Sequence, residues 1–428
     1  MLTEAWEQLR PHPQQSALWR TSAKTVIVPA GRGSGKSLIS KRYCVRWLPI
    51  EKPWTDPIYF YALPTYNQAK RVAWKDLKAL TPHRWVKRIY ESDLIISTVF
   101  GSELHVLGMD KPMRAEGVQW DGGVLDESSD QKPGIVEVNL GPAMTHRDPW
   151  LWRIGVPKRY GVGAKDFKQA YDNALACTDG TQAAFSWPSS DILEPSVIEA
   201  RKAELDPIDY AEQYEASWEK AGGLVFHCYD SANLDDQIGH IPDKALIIGQ
   251  DFNVDPMAWT LSHKVGNDLH TFDEIWIRNT NTQSAMDALW DRYGEKHQGW
   301  WVFIGDATGR SRKTSATTTD YLIIKGDERF KRKRVHYPKS NPVVLDRFAA
   351  CNALLKNAKG LRRGKIHPRC KHLIEDLENR SYKEGTREPD DKGDISHMSD
   401  AWGYVVHQLF PIPVSVGGGT AGVHAGAE

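Results

Sequence analysis

The sequence contains no hydrophobic run long enough to cross a membrane. A spanning helix needs about 20 consecutive apolar residues, and no stretch of the 428 residues approaches that length. The N-terminal segment MLTEAWEQLRPHPQQ also lacks the basic-then-apolar order of a secretory signal. We therefore expect a soluble cytoplasmic protein with no membrane partner.

Cysteine is scarce and irregularly spaced. There are five cysteines, an odd number, and no CxxC pair occurs. This pattern argues against a disulfide framework and against a zinc cluster. It predicts reduced and mostly buried thiols at Cys44, Cys177, Cys228, Cys351 and Cys370.

An overall excess of charge is also missing, because 55 Lys and Arg balance 55 Asp and Glu. The balance does not hold locally: residues 325–372 carry 15 Lys and Arg against three acidic residues. Many basic runs are only solvated faces, but this density inside a folded region favours contact with a polyanion such as a nucleic-acid backbone.

The chain is long enough for two domains of ordinary size, or three small ones. Residues 24–220 alternate helical patterns with short apolar runs, which predicts an α/β fold with a parallel sheet. The runs are TVIVPA, IYFYALP, LIISTVF, GGVLDE and LWRIGVP. After Ala221-Gly222-Gly223 a second series has strands at ALIIG, MAWTLSHK, HTFDEIWI and WWVFIGD, and helices near residues 341–358, 370–380 and 396–409. The predicted divisions are a domain at 1–220 that ends in a helical linker, a domain at 221–410 and a flexible tail at 411–428.

The strongest chemical motif is AGRGSGKS, which lies between an apolar strand and a helix and is typical of a P-loop. Its glycines allow backbone N–H groups to surround phosphate oxygens at a helix N-terminus. Lys36 is predicted to reach the β- and γ-phosphates and Ser37 to bind Mg²⁺. The motif departs from the common pattern at its first position, where Ala30 replaces glycine. The predicted phosphate-binding residues are Gly31, Arg32, Gly33, Ser34, Gly35, Lys36 and Ser37.

A second motif, GVLDE, ends an apolar run with two carboxylates. In this position after a P-loop, Asp126 is predicted to hold Mg²⁺ and Glu127 to polarise the attacking water. No NKxD guanine-reading motif occurs, so ATP is the expected nucleotide. Arg32 and Arg114 are candidates for stabilising charge on the γ-phosphate, although an ordinary salt bridge explains either equally well.

In the second half, two apolar strands end in Asp251 and Asp306, and Asp400 lies on a predicted helix three residues after His397. Carboxylates from separate elements that converge at a sheet edge suit one or two hard cations, Mg²⁺ or Mn²⁺, and phosphodiester hydrolysis. Each aspartate alone is also a common turn or cap residue. Asp255, Asp394 and Glu274 are alternative or outer members of the site.

The order of these motifs resembles that of the large terminase subunit of tailed bacteriophages over all of the chain except its tail. The resemblance rests on RPHPQQ, AGRGSGKS, LPTYNQAK, VLDESS, IGVPKRYG, DFNVDPMAW, FIGDATG, NPVVLDR and HMSDAWGY. It implies an α/β fold with an N-terminal RecA/ASCE-like P-loop ATPase and a C-terminal RNase H-like nuclease domain. It further implies that Gln15 covers the adenine, and that Asp251, Asp306 and Asp400 bind the nuclease metal.

For function, the resemblance implies an ATP-driven motor that moves double-stranded DNA into a procapsid and cuts concatemeric DNA. The implied partners are DNA, the portal protein, the small terminase subunit and further copies of the chain in a ring, although the isolated chain could be a monomer. The implied location is the host cytoplasm and not the mature virion.

Two segments depart from the family pattern. Gly155-Val156-Pro157 stands where relatives have a Ser/Thr-Thr-Pro-like sequence, and Arg114-Ala115-Glu116-Gly117 interrupts an Arg-Gly pair. Two other interpretations therefore stay open: a RecA-type translocase or helicase with an inactive RNase H-like domain, and a non-catalytic assembly component that binds nucleotide and DNA.

Overall fold

The computed structural model describes residues 12–219, 223–310, 318–383, 386–390 and 395–412. These residues form two compact units. The first comprises residues 12–198 and 211–219, and the second comprises residues 199–210 and the described residues from 223 onward. The predicted tail lies outside the described residues after position 412.

The strands are β1 (Thr25–Pro29), β2 (Ile58–Leu63), β3 (Val86–Tyr90), β4 (Ile95–Thr98), β5 (Glu103–Gly108), β6 (Gly122–Leu125), β7 (Trp150–Gly155), β8 (Gln182–Ala184), β9 (Leu246–Asp251), β10 (Met257–Val265), β11 (Asp268–Ile277), β12 (Trp301–Gly305), β13 (Lys333–His336) and β14 (Gly364–Ile366).

The helices are α1 (Pro13–Arg20), α2 (Lys36–Trp47), α3 (Tyr66–Gln68), α4 (Lys75–Leu80), α5 (Gly141–Ala143), α6 (Ala164–Ala176), α7 (Pro195–Glu204), α8 (Pro207–Tyr214), α9 (Thr282–Tyr293), α10 (Asp320–Gly326), α11 (Val344–Leu355), α12 (Lys371–Asn379) and α13 (His397–Leu409). No helix among the described residues combines the length and apolar character that crossing a membrane requires.

The sheet of the first unit has the order β3-β4-β5-β2-β6-β7-β1-β8. All neighbours from β5 to β8 are parallel. Strand β7 lies between β1, which precedes the P-loop, and β6, which begins the GVLDE motif, called Walker B from here on. This insertion of a strand between the two motif strands is the RecA/ASCE arrangement. Successive residues of β2 alternate between two buried layers, with Tyr59 and Tyr61 in one and Phe60 and Ala62 in the other. Burial on both faces explains why the central strands are apolar runs.

The prediction of a parallel sheet is wrong at one edge. The run LIISTVF forms β4, which pairs antiparallel with both β3 and β5. The reason is the short connection from Thr98 to Ser102, where Gly101 has φ +84°. A tight turn can join antiparallel strands, whereas parallel neighbours need a long crossover.

The sheet of the second unit has the order β13-β12-β9-β10-β11-β14. Strands β9, β10 and β11 form an antiparallel meander, and β12 and β13 continue parallel to β9. This is the RNase H-like order, with β14 added beside β11. Helix α13 lies close to β9, because a Cβ on Gly249 would be 2.4 Å from the carbonyl oxygen of Ala401. The glycine therefore allows the helix that carries His397 and Asp400 to approach the strand that ends in Asp251.

All five cysteines have free thiols, and four of them are buried. Cys177 is the exception and is partly exposed. The prediction that most of the thiols are buried is confirmed.

Candidate functional site

The P-loop connects β1 to α2 at the carboxyl edge of the parallel sheet. Gly33 and Gly35 have φ values of +72° and +80°, which favour glycine. Gly31 is required for a different reason, since a Cβ there would lie 2.3 Å from Ser189 Oγ and 2.7 Å from the carbonyl oxygen of Tyr214. Ala30 is buried and extends the strand through a parallel bridge to Trp187, with its N–H donating to the Gly155 carbonyl at 3.0 Å. Alanine is therefore compatible with the first position of this loop.

Lys36 lies buried in the first turn of α2. Its Nζ donates to the Gly31 carbonyl oxygen at 3.2 Å. Burial lowers the pKa of Lys36, while Glu127 and Asp126 oppose that shift. Ser37 follows in the same turn and is half-buried, and Arg32 is exposed in the loop. The ammonium is thus held at the loop, where the charges of the two carboxylates act on it.

The Walker B carboxylates follow β6 at the same sheet edge. Asp126 is buried and its two oxygens accept hydrogen bonds from Tyr61 Oη at 2.6 Å and from the Glu127 N–H at 2.8 Å. Glu127 has φ +51°, an uncommon conformation for a residue with a side chain. Burial and the neighbouring Asp126 raise the pKa of Glu127, and Lys36 and Lys158 oppose the shift. A carboxyl group with these properties suits a general base or water-positioning role.

Gln15 contacts the P-loop from helix α1. Its buried Nε2 donates to the Ser34 carbonyl oxygen at 3.0 Å, and Trp187 Nε1 donates to the same oxygen at 2.9 Å. A Cβ on Gly35 would be 2.8 Å from Gln15 Nε2. The two donors fix the orientation of the Ser34 peptide, so the contact made by Gln15 in this structure is with the loop itself.

Lys158 is a site residue that the motifs did not identify. It follows β7 in the segment that departs from the family pattern, and it forms an ion pair with Asp130 just after the Walker B turn. Its charge acts on both Lys36 and Glu127. The next residue, Arg159, pairs through Nε with Glu212 of α8 at 3.2 Å. The only sequence signal for Lys158 was its position directly after β7, because β7 lies between the two strands that end in the Walker motifs.

The two candidate arginines occupy different environments. Arg32 is part of the P-loop, and its carbonyl oxygen accepts a hydrogen bond from Ser189 Oγ at 2.7 Å. Arg114 lies in an exposed 3-10 turn, Pro112–Ala115. Within the described residues the guanidinium of Arg114 forms no hydrogen bond or ion pair with the P-loop. Its predicted role in charge stabilisation stays a prediction.

The predicted metal-binding aspartates converge in the second unit. Asp251 ends β9 and Asp306 follows the parallel strand β12, while Asp400 lies in the first turn of α13. Burial raises the pKa of Asp251, and the charges of Asp400 and Asp306 add to that effect. Burial also raises the pKa of Asp306. The charges of Asp306 and Asp400 thus both act on Asp251.

The donor set suits a divalent cation. Asp306 Oδ2 accepts a hydrogen bond from Thr308 Oγ1 at 2.6 Å, whereas its buried Oδ1 has no partner among the described residues. An unpaired buried carboxylate oxygen is costly unless a ligand satisfies it. Together with Asp251, it offers the oxygen ligands that Mg²⁺ and Mn²⁺ prefer.

Two further residues complete this environment. His397 Nδ1 lies 2.9 Å from Asp251 Oδ2, and Asn253 Nδ2 donates to the same oxygen at 3.0 Å. The hydrogen bond to Asp251 raises the pKa of His397. Asp400 Oδ1, in contrast, accepts hydrogen bonds from Arg347 Nη2 at 2.7 Å and Arg380 Nη1 at 2.6 Å. His397 is therefore a candidate ligand besides Asp400.

The alternative acidic residues have other roles or positions. Glu274 caps α12, because its oxygens accept from the N–H groups of His372 and Leu373 at 3.0 and 3.1 Å. Asp255 lies 3.5 Å from Arg278 in an exposed ion pair. Asp394 lies outside the described residues.

No known family model matches the sequence, and no curated protein is similar to it at a significant level. Solved structures are similar over nearly its whole length. The large terminase of a thermophilic bacteriophage aligns with a TM-score of 0.55 and 16% identity, covering 93% of this chain and 99% of that chain. Structures of the same terminase with ADP and with ATP-gamma-S align with a TM-score of 0.53 and 17% identity, covering 92% of this chain and 98% of that one. At this identity the similarity shows the fold, and the fold expected from the motifs is confirmed: the chain has the α/β fold of a bacteriophage large terminase, with a RecA/ASCE-like P-loop unit and an RNase H-like unit.

Proposed function

We propose that the protein is a viral DNA-packaging motor in which ATP hydrolysis drives double-stranded DNA into a procapsid and a metal-dependent endonuclease cuts concatemeric DNA. The observation that supports this proposal is the presence, in one chain, of two separate groups of candidate catalytic residues. The first is Lys36 facing Asp126 and Glu127 at a P-loop, and the second is Asp251 beside Asp306 with an unsatisfied oxygen.

In the ATPase unit, the loop N–H groups and Lys36 would bind the nucleotide phosphates. Ser37 and Asp126 would hold Mg²⁺, which supplies neutralisation of charge on the β- and γ-phosphates when it is bound. Glu127 would position and polarise the attacking water, because it is half-buried and its pKa is raised. Arg32 or Arg114 would stabilise the developing charge, either within one chain or from a neighbour in a ring.

Adjacent basic residues offer a route from ATP turnover to movement. Lys158 pairs with Asp130 next to Glu127, and Arg159 pairs with Glu212 on α8. Both Arg159 and Glu212 side chains are less than a tenth exposed. A change at the γ-phosphate would therefore be transmitted from the Walker B turn to α8 through two consecutive residues, which makes Lys158 the candidate γ-phosphate sensor of this segment.

In the nuclease unit, Asp251 and Asp306 would bind Mg²⁺ or Mn²⁺, with Asp400 or His397 as the third protein ligand. The bound ions would supply an activated water and stabilisation of the leaving oxygen. Asn253 would orient Asp251, since it donates to the carboxylate at 3.0 Å.

The partners follow from the same proposal. DNA would be bound through its phosphates. The affinity would therefore depend little on the DNA sequence and would fall as the salt concentration rises. The proposal also includes the portal protein, the small terminase subunit and a ring of identical chains on the portal, with packaging carried out in the host cytoplasm.

A second function is favoured by one observation. Because Arg347 and Arg380 already neutralise Asp400, the chain could be a RecA-type DNA translocase whose RNase H-like unit does not cleave. This alternative shares the ATPase site and predicts no metal-dependent cleavage.

Plasmid cleavage in Mn²⁺, Mg²⁺ or EDTA separates the two functions. We expect the wild type to cleave with metal and Asp251→Ala to lose cleavage while it retains ATP turnover. Lys36→Ala should show the converse, because its site lies in the other unit. Equal or absent cleavage by folded wild type and Asp251→Ala, with ATPase intact, would favour the translocase. Loss of both activities in each folded variant would contradict the independence of the sites.

A further inference from the structure

An exposed tyrosine in the second unit lies between two basic side chains. Tyr337 follows β13 and is 43% exposed. Lys325 Nζ, from the last turn of α10, lies 4.0 Å from the centre of its ring. The guanidinium carbon of Arg310 lies 5.7 Å from the same ring centre, and Arg310 Nη1 is 3.5 Å from the Pro338 carbonyl oxygen. Three separate elements therefore bring two cations and a phenol together.

This cluster lies at the edge of the sheet that carries the candidate metal centre. Strand β13 is parallel to β12, and His336 is in register with Ile304. Tyr337 thus continues beside Gly305 and Asp306, where β12 ends. The adjacent Tyr321 joins the two features, because its hydroxyl donates to the Asp306 carbonyl oxygen at 2.7 Å and its ring centre is 5.4 Å from that of Tyr337.

The two cations are not neutralised by nearby carboxylates. Among the described residues, neither Lys325 nor Arg310 forms an ion pair with Asp or Glu. The ammonium lies against the Tyr337 ring, and its hydrogen bond and charge lower the pKa of Tyr337. Arg329, in contrast, pairs with Asp287 and Asp327.

Two uncompensated cations and a hydroxyl are the donor set that binds a phosphate oxygen. We infer that Arg310, Lys325 and Tyr337 form a subsite for the DNA phosphate that flanks the scissile phosphodiester on the β13 side of the metal centre. The inference rests on the proposed nuclease function. The three residues act as positioning residues, since they contact the substrate backbone away from the bond that is cleaved.

The chain provides a matched control in the same sheet, at the opposite end of the strands. Lys264 is exposed and its Nζ lies 4.8 Å from the ring centre of Phe410, which is the same kind of contact. Lys264 lies near the carboxyl end of β10, past Ser262, which pairs with Ile247 of β9. Asp251 pairs with Ala258, near the opposite end of β10. Lys264 is therefore distant from the metal centre along the strand.

The test measures binding of a fluorescent double-stranded oligonucleotide in EDTA as salt is varied, for wild type, Lys325→Ala, Arg310→Ala and Lys264→Ala. We expect the first two variants to bind about tenfold more weakly and to lose about one unit of the slope of log affinity against log salt. Lys264→Ala should match the wild type. Slopes of Lys325→Ala and Arg310→Ala that equal that of folded Lys264→Ala would overturn the inference.

Cleavage kinetics provide a second readout. We expect Lys325→Ala and Tyr337→Phe to raise KM for DNA while kcat changes little, because the subsite positions substrate before the chemical step. A fall in kcat with unchanged KM would contradict a positioning role. If the wild type fails to cleave DNA with any metal, the nuclease proposal fails, and the binding comparison still decides whether the cluster contacts DNA.

Discussion

At the scale of single residues, His263 illustrates how burial sets a pH response. It is fully buried in β10; its Nε2 accepts from the Ile241 N–H at 2.9 Å and its Nδ1 donates to the Ala245 carbonyl oxygen at 2.8 Å. Burial lowers the pKa of His263 to about 4, and the nearby His240, His297 and Lys244 act in the same direction. Protonation would remove the acceptor for Ile241, so the folded state requires the neutral ring.

We predict that stability falls as the solution is acidified through this range. An unfolded histidine has a pKa of about 6.5, so the unfolded chain binds more protons between pH 6.5 and 4. The stabilising contribution of the neutral ring is complete above about pH 6.5. It is lost toward pH 4, where the free energy of unfolding has fallen by about 3 kcal/mol. Denaturant unfolding against pH measures it. His263→Asn should be less stable at neutral pH with a shallower pH slope, and an unchanged slope would contradict the assignment.

Asp400 and His397 share a helical turn but have different neighbours. Asp400 pairs with Arg347 and Arg380, whose side chains are 5% and 2% exposed. We predict that Asp400→Asn destabilises the fold by about 3 kcal/mol, because it leaves two buried cations without a counter-charge. His397→Ala should cost far less stability but abolish Mn²⁺-dependent cleavage. Thermal unfolding beside plasmid cleavage distinguishes the two, and normal cleavage by folded His397→Ala would remove His397 from the metal site.

At the scale of secondary structure, elements with strong apolar patterns were predictable and weakly patterned ones were not. β1, β9, β12 and α13 follow from buried runs or helical spacing. β13, with the sequence KRVH, was missed because an exposed edge strand needs no apolar alternation. β8 has three residues, too few to show a period.

The candidate sites show the same division. Lys36, Asp126 and Glu127 were predictable because each lies in a contiguous motif next to an apolar strand. Lys158 and Tyr337 were not, because their importance depends on which strands are neighbours in a sheet. The contact of Asn253 with His397 was not predictable either, because it requires in addition the close approach of α13 to β9.

The connection between β7 and α8 leads to a test of coupling. Arg159 and Glu212 form a buried ion pair between the segment after β7 and α8. We predict that Arg159→Ala retains at least a substantial part of the basal ATPase rate but loses DNA translocation, because the Walker motifs stay intact while the contact with α8 is lost. Arg159→Lys should restore part of the translocation. Equal loss of ATP turnover and translocation in folded Arg159→Ala would show that the pair supports catalysis and not transmission.

At the scale of the whole molecule, the net charge is zero, but the surface around β13 is basic. Lys331, Arg332 and Arg334 are exposed at β13, and Arg334 lies 4.6 Å from the ring centre of exposed Trp300. We predict that reversal to glutamate at 331–334 weakens DNA binding and lowers the salt slope by about three units or more. Reversal of exposed Lys264 and Lys296 is the control. An unchanged slope would exclude this segment from the DNA interface.

Residues 199–210 belong to the second unit, so the described chain passes between the units three times. This segment is held there by Asn357 Nδ2 donating to the Ala203 carbonyl oxygen at 2.9 Å and by His227 beside Asp206 at 3.2 Å. No single cut in the chain can therefore separate two intact halves. A fragment that begins after residue 220 lacks the carbonyl that Asn357 requires and the carboxylate beside His227. An excised RNase H-like unit would therefore start at residue 199 and include the second half of α7.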